Sequence, residues 1–520
     1  MSHFTPIHTS TTIRELERAA PAELLPLMAR AGAVAAEHAR RMLGADPRRP
    51  GQNVLVVAGP GNNGGDALEV AVHLKASFYR VTVVLVGATA GAPERLPGDA
   101  KRAYAKWMAA GGSARDDVPE PAAGGSVRDD VPAPAAGSRW DLVVDGLFGI
   151  GLTRPLDGRL AELVGQINAL RVPVLALDIP SGIHADTGAV MGCAVRAAET
   201  ITFIALKPGL LTLDGPDHCG SLHCDTLGLD LRAMMAPPGE LLDAGVRRAL
   251  APRARNFHKG NAGNVAVIGG ADGMLGAAFL AARAAIRTGA GKVFLGLLAT
   301  DSAPAWDPLQ PELMLRRPAA AMDEAGVILA GPGMGLSGAA VSELRSAVAI
   351  ERALVLDADA LSLVAGDATL ARLTAARRAP TLMTPHPAEA ARLLGVPTAE
   401  VQRDRLAAAI AIATRYRSIV VLKGNGSIIT APAGAGDVTR WWINASGNPG
   451  MASAGMGDAL AGITASLLAQ GLAPLAAMQL AVWVHGAAAD ECVALGNGPL
   501  GITASDVIDA ARRVLNRAGS

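Results

Sequence analysis

Residues 59–66 read GPGNNGGD, directly after the apolar run NVLVVA (53–58) and directly before an apolar segment expected to be helical over 67–75. A strand, a tight glycine turn and a helix start together present free backbone N–H groups and the positive end of a helix dipole, which is how a phosphate is commonly held. A bare βα turn has no need of two asparagines and an acid among its glycines, so the pattern points to an anion site. Residues 455–458 read GMGD and open a second apolar helix. An anion hole and a carboxylate meet there, as phosphoryl transfer requires: N–H groups to steady the moving phosphate and Asp458 to take the proton of an attacking hydroxyl.

Other reactive residue types also follow apolar runs. Asp145 opens DGLFGIGLTRP (145–155) and Asp178 opens DIPSGIHADTG (178–188). Ligands of doubly wound sheets gather at the carboxyl ends of strands, so these two acids and residues 59–66 are expected around one crevice. Asn63, Asp145 and Ser181 would offer it hard oxygen donors suited to a monovalent or other hard cation. In the second half GPGMG (331–335) and TPHPAE (384–389) follow strands, and KGNGS (423–427) lies in an expected hairpin. His386, between two prolines in such a loop, reads as a ligand contact.

The elements that position these residues alternate. Helix is expected over 12–45, then strands at 53–58, 81–86, 141–147 and 172–177 with helices between them. After a break at 234–239 (MMAPPG) the pattern restarts, with strands at 263–270, 326–330, 353–357, 380–383, 418–422 and 427–430. The 520 residues exceed one ordinary core, half of them are hydrophobic, and the chain holds 60 glycines. Two α/β domains are therefore expected, over 1–235 and 245–520. A 13-residue tandem repeat, SARDDVPEPAAGG then SVRDDVPAPAAGS, fills 113–138 and reads as a mobile surface insertion within 111–138.

In combination the motifs become specific. GPGNNGGD, VDGLFGIGLTRP and DIPSGIHADTG, with LMARAGAVAA (27–36) and ETITFIALKPG (199–209), resemble the NAD(P)H-hydrate epimerase domain over about residues 12–230. That resemblance implies a Rossmann-like parallel-sheet fold that interconverts the R and S forms of hydrated NADH or NADPH. It implies that Asn62, Asn63, Gly64, Gly65 and Asp66, with Gly149, Ile150, Gly151, Leu152, Thr153, Arg154 and Pro155, hold the hydrated dinucleotide. It further implies a potassium ion on Asn63, Asp145 and Ser181, with Asp178 contacting the dinucleotide as the catalytic acid/base. Ala67 departs from the family, which usually has another glycine there.

GPGMG, TPHPAE, NPGMASAGMGD (448–458) and GITASD (501–506) resemble the ribokinase-like NAD(P)H-hydrate dehydratase family over residues 253–515. The resemblance implies removal of water from the S form at the expense of ADP or ATP, with magnesium. It assigns Lys423, Gly424, Asn425, Gly426, Ser427 and Gly457 to the adenine nucleotide. Ala277, Gly335, His386 and Asp458 go to the hydrated nicotinamide, Asp458 as the catalytic base. A rival reading of the same glycine-rich helix start is a small-alcohol kinase, with a non-catalytic nucleotide-binding module as the first half. The fusion speaks against it, because an epimerase that supplies the S form is of use only to an enzyme that consumes it.

Lys plus Arg and Asp plus Glu stand at 47 each, which leaves no basic surplus for nucleic acid. Four cysteines are too few for a disulfide framework, and neither a signal peptide nor a membrane span is legible, so a cytoplasmic homo-oligomer with small-molecule partners is expected. A zinc site in HCGSLHC (218–224) is not expected, since Gly220 and Ser221 read as a hairpin and no further cysteine or histidine lies close in sequence.

Overall fold

The computed structural model describes residues 5–24, 26–44, 52–87, 95–118, 140–433 and 439–517. It divides into two compact units, 6–237 and 238–520, the latter also taking in residues 1–5.

The first unit is built on a parallel sheet of β1 (Asn53–Ala58), β2 (Arg80–Leu85), β3 (Ala114–Arg115), β4 (Leu142–Gly146), β5 (Val174–Leu177), β6 (Glu199–Phe203) and β7 (Ser221–Asp225). Their order is β3-β2-β1-β4-β5-β6-β7. The direction of winding reverses between β1 and β4, so the loops after those strands diverge and open a crevice. Alternate residues serve opposite faces. Val54 and Val56 pack under α1 (Ser10–Arg18), α2 (Leu27–Leu43), α3 (Asn62–Ala76) and α4 (Gly98–Ala109). Leu55 and Val57 pack under α5 (Gly158–Ala169). Burial on both faces explains the near-continuous apolar runs.

Three expectations are corrected. The helix foreseen over 12–45 is two helices, because Pro21 and Pro26 interrupt the hydrogen-bond ladder between Arg18 and Leu27. Residues 218–224 form no hairpin: a short helix ends at Cys219, and after Gly220 (φ +57°) β7 runs parallel to β6. The helix foreseen from residue 67 starts at Asn62 and so contains most of the glycine motif. Of the tandem repeat, Ala114–Arg115 pair with β2 at the sheet edge, and residues 119–138 lie outside the described residues.

The second unit carries β8 (Gly239–Leu241), β9 (Asn264–Gly269), β10 (Lys292–Leu297), β11 (Met314–Arg316), β12 (Val327–Ala330), β13 (Ala353–Leu356), β14 (Thr381–Met383), β15 (Ile419–Leu422), β16 (Ser427–Thr430) and β17 (Trp441–Asn444). They lie in the order β8-β17-β16-β15-β14-β13-β12-β9-β10-β11. The 424–426 turn makes β15 and β16 an antiparallel hairpin, and β16–β17 is antiparallel too. Apolar helices α6 (Leu275–Arg287) and α10 (Met456–Ala469) cover one face. A Cβ on Gly462 of α10 would fall 2.1 Å from the Ala281 carbonyl oxygen of α6, so glycine sets how closely they approach. No helix among the described residues is long and apolar enough to cross a membrane.

Candidate active sites

In the first unit most of the glycine-rich run 59–66 lies inside the first turn of α3. A Cβ on Gly64 would sit 1.9 Å from the Gly59 carbonyl oxygen, so only glycine lets the first turn of α3 settle onto the end of β1. Gly61 caps that turn without a side-chain hydrogen bond. The first intrahelical bond there is Gly65 N–H to Gly61 O, at 3.2 Å. The N–H groups of Asn62, Asn63 and Gly64 therefore have no partner within the helix, as an anion site requires.

Asp145 is completely buried at the end of β4, and burial raises its pKa although Ser181 and Leu147 donate to it. Ser181 supplies its N–H at 2.8 Å and its hydroxyl at 2.7 Å. Beside them, both polar side-chain atoms of buried Asn63 lack a hydrogen-bond partner. An orphaned buried amide oxygen after β1, with a desolvated carboxylate at the end of neighbouring β4, offers donors that a potassium ion would satisfy.

Asp178 follows β5 with a left-handed backbone (φ +66°). One carboxyl oxygen accepts from Ile150 N–H at 3.3 Å and would meet a Cβ on Gly149 at 2.8 Å; the other is ion-paired with Lys207. That lysine is fully buried, and its ammonium also donates to Thr202 Oγ1 (2.7 Å) and Phe203 O (2.8 Å). Asp66 is raised well above an ordinary carboxyl by burial and by the charges of Asp178, Glu17 and Glu69. Asn63, Gly149, Ile150 and Asp178 thus meet in one crevice. Gly151, Thr153, Arg154 and Pro155 are exposed along its rim, whereas the Leu152 side chain turns into the core below α5.

The second unit gathers acids around a lysine. Lys423 Nζ lies 2.9 Å from Asp357 and 3.9 Å from Glu389. Burial opposes its charge, but those two carboxylates hold its pKa above the ordinary value. Thr384 donates to the same Asp357 oxygen at 2.7 Å. Asp458, in the first turn of α10, is pushed up to about 7 by burial and then by the charge of Asp357. Glu389 is likewise pushed up to about 7, chiefly by burial. A Cβ on Gly457 would lie 3.0 Å from Lys423 Nζ, which puts this helix start against the lysine.

Around this centre, His386 caps α8 (Pro387–Leu394). Its Nδ1 accepts from Ala388 and Glu389 N–H while Glu389 accepts from His386 N–H, a reciprocal capping box. An accepting Nδ1 leaves the ring proton on Nε2. The loop of Gly424, Asn425, Gly426 and Ser427 is held from beneath by buried Arg405, which donates to Leu422 O and Lys423 O. Ser427 Oγ closes it onto Gly424 O at 3.0 Å. Gly335 N–H donates to Asp359 at 2.8 Å, and Gly333 backs onto Ala277 and Met274.

Two family models match the chain: a YjeF-related protein N-terminus over residues 24–209, and NAD(P)H-hydrate dehydratase over 265–513. A bifunctional NAD(P)H-hydrate repair enzyme, Nnr, of Coxiella burnetii is 38% identical, covering 98% of this chain and all of its own. This chain belongs to the family of bifunctional NAD(P)H-hydrate repair enzymes. Its Escherichia coli member is 36% identical over 89% of this chain and 85% of its own, and the Leishmania infantum member 36% identical over 99% and 94%. An ADP/ATP-dependent NAD(P)H-hydrate dehydratase from Bacillus subtilis, crystallised with ATP and Mg2+, is 29% identical, with a TM-score of 0.47 over 53% of this chain and 96% of its own. Relatives matched over the whole length are named as bifunctional repair enzymes, which favours that reading over a small-alcohol kinase fused to an idle module.

For a family member read from sequence, four residues of these centres were missed: Lys207, Asp357, Thr384 and Glu389. Lys207 and Glu389 lie inside motifs already singled out, ETITFIALKPG and TPHPAE, without a role assigned to them. Asp357 follows β13 as Asp145 ends β4, so the strand-end rule that found one acid could have found the other.

Proposed function

We propose that residues 1–235 interconvert R and S hydrated NAD(P)H, and that residues 245–520 dehydrate the S form with ADP or ATP. In the first reaction the unpaired N–H groups of Asn62, Asn63 and Gly64 bind the pyrophosphate, and Gly149, Ile150, Gly151, Thr153, Arg154 and Pro155 line the rest of the dinucleotide. Asp178, steadied by Lys207, takes up and returns a proton as the hydrated carbon loses and regains its configuration. Asn63, Asp145 and Ser181 would hold potassium, which would supply fixed positive charge beside the dinucleotide.

In the second reaction Asp458 removes the proton of the C6 hydroxyl, whose oxygen attacks the terminal phosphorus of the nucleotide. The nucleotide leaves as AMP if ADP is the donor. The C6–O bond then breaks, the ring nitrogen supplying the electron pair; phosphate departs, a C5 proton is lost and NAD(P)H is restored. Lys423 and the N–H groups of the α10 start meet the phosphate charge, the 423–427 loop and Gly457 take the nucleotide, and Ala277, Gly335 and His386 orient the nicotinamide. Asp357 and Glu389 would hold magnesium, which would screen the phosphates and leave Asp458 free to act as the base. Glu389, raised by burial and then by the charge of Asp357, is in the state expected of such a donor set before a cation joins it.

Asp458 carries this reading: a base poised near 7 at a helix N-terminus that faces the half-buried Lys423. The test supplies mixed R and S hydrates with potassium, magnesium and ADP or ATP and follows recovery of NADH absorbance. Complete recovery is expected, and a halt at the S fraction would show an inactive first unit. The same reading makes the protein a cytoplasmic homo-oligomer, which fractionation and light scattering on the full chain would check.

A further inference from the structure

The run HCGSLHC takes no part in either site, yet His223 within it has neighbours remote in sequence. In the β6–β7 register His223 stands opposite Ile201, two residues along from Glu199, so the two side chains share a face of the sheet. His38 reaches that face from α2. Its Nε2 lies 2.7 Å from Glu199 Oε2, and His223 Nε2 lies 2.9 Å from the same oxygen. The imidazole rings are 4.3 Å apart, and the three donor atoms all lie within 4.8 Å of one another.

We propose that His38, Glu199 and His223 form a binding site for one divalent transition-metal ion of the zinc class. Two imidazole nitrogens and one carboxylate oxygen are borderline donors that suit zinc, cobalt or nickel over the all-oxygen cations magnesium and calcium. Bonds of roughly 2.0–2.2 Å to such an ion require the donors to spread by only a few tenths of an ångström from their present hydrogen-bonded separations. Exposure rises from His38 (3%) through Glu199 (31%) to His223 (44%), so the remaining coordination positions face water.

Arg41 donates to His38 Nδ1 at 2.6 Å, which keeps the proton of the neutral ring on Nε2. Metal binding moves that proton to Nδ1, and Arg41, exposed one turn along α2, withdraws from it. Because the ligands come from α2, β6 and β7, the ion would tie the helix to the last two strands and stabilise the first unit.

The full chain, stripped with a chelator and then kept in excess Mg2+ to fill the site of the second unit, is titrated with Zn2+ by calorimetry and with Co2+ by its visible absorption. One saturable site is expected, with a Tm that rises on adding Zn2+. His223→Ala, at an exposed strand position, should keep the metal-free Tm and lose affinity by more than the roughly 10- to 100-fold that removal of an outer-shell partner costs. His38→Ala should likewise lose affinity, and Glu199→Gln should weaken binding without abolishing it. No saturable binding, or Zn2+ binding unchanged in His223→Ala, would overturn the proposal.

Discussion

The two centres treat charge in opposite ways. In the first unit Asp178 and Lys207 neutralise one another, and the lysine is also bonded to Thr202 and Phe203. In the second, three carboxylates share one lysine, and two of the three are driven up to about 7. A pair that is already neutral keeps its geometry before any ligand arrives, which suits a reaction that only moves a proton. A centre with an excess of acid is incomplete until a cation and a polyphosphate enter it, which suits transfer of a phosphoryl group.

The sharpest way to break this contrast is to remove one acid from each centre. Asp458→Asn should lower nucleotide-dependent recovery of NADH by about 10²–10⁴-fold while leaving epimerisation intact, measured on separated R and S hydrates. Asp178→Ala should do the reverse, and an epimerisation rate unchanged in it would remove Asp178 from its role. Lys207→Met should lower the stability of the first unit by about 3–5 kcal/mol in denaturant, because it leaves the Asp178 charge without its buried partner. An equal loss for Lys423→Met would erase the difference between the centres; a smaller one is expected, since the Lys423 side chain is 19% exposed where that of Lys207 is fully buried.

The pH dependences should differ as well. A general base must be deprotonated, so kcat/KM of dehydration should rise with pH through an apparent pKa near 7, a limb shared by Asp458 and Glu389. Asp458→Asn should also stabilise the second unit. Its folded pKa lies above the unfolded value of 3.8, so the native state binds more protons between those values and stability falls as pH rises from about 4 through about 7. Above 7 the amide should therefore raise Tm, by about 2–4 °C for each kcal/mol relieved.

Much of this was legible in sequence because glycine and strand-end acids are local signals. Asn62–Asp66, Asp145, Asp178 and Asp458 each follow or open a periodic segment, and their types alone restrict the chemistry. What escaped is non-local. Nothing in the sequence around Lys207 says that its ammonium lies against Asp178, or around Glu389 that it meets Lys423. Strands β3, β8 and β11 are only 2–3 residues long, too short for any periodicity to show. The hairpin expected at 218–224 failed for the same reason: a glycine with positive φ reads alike whether the next strand turns back or continues a parallel sheet.

In the proposed nicotinamide contact His386 would have a further effect on affinity. Because its ring is fixed by capping α8, a ligand that meets Nε2 finds a side chain whose rotational freedom was lost during folding. Immobilising a free side chain on binding costs about 0.5–1.5 kcal/mol, so contact with this histidine escapes most of that entropic penalty.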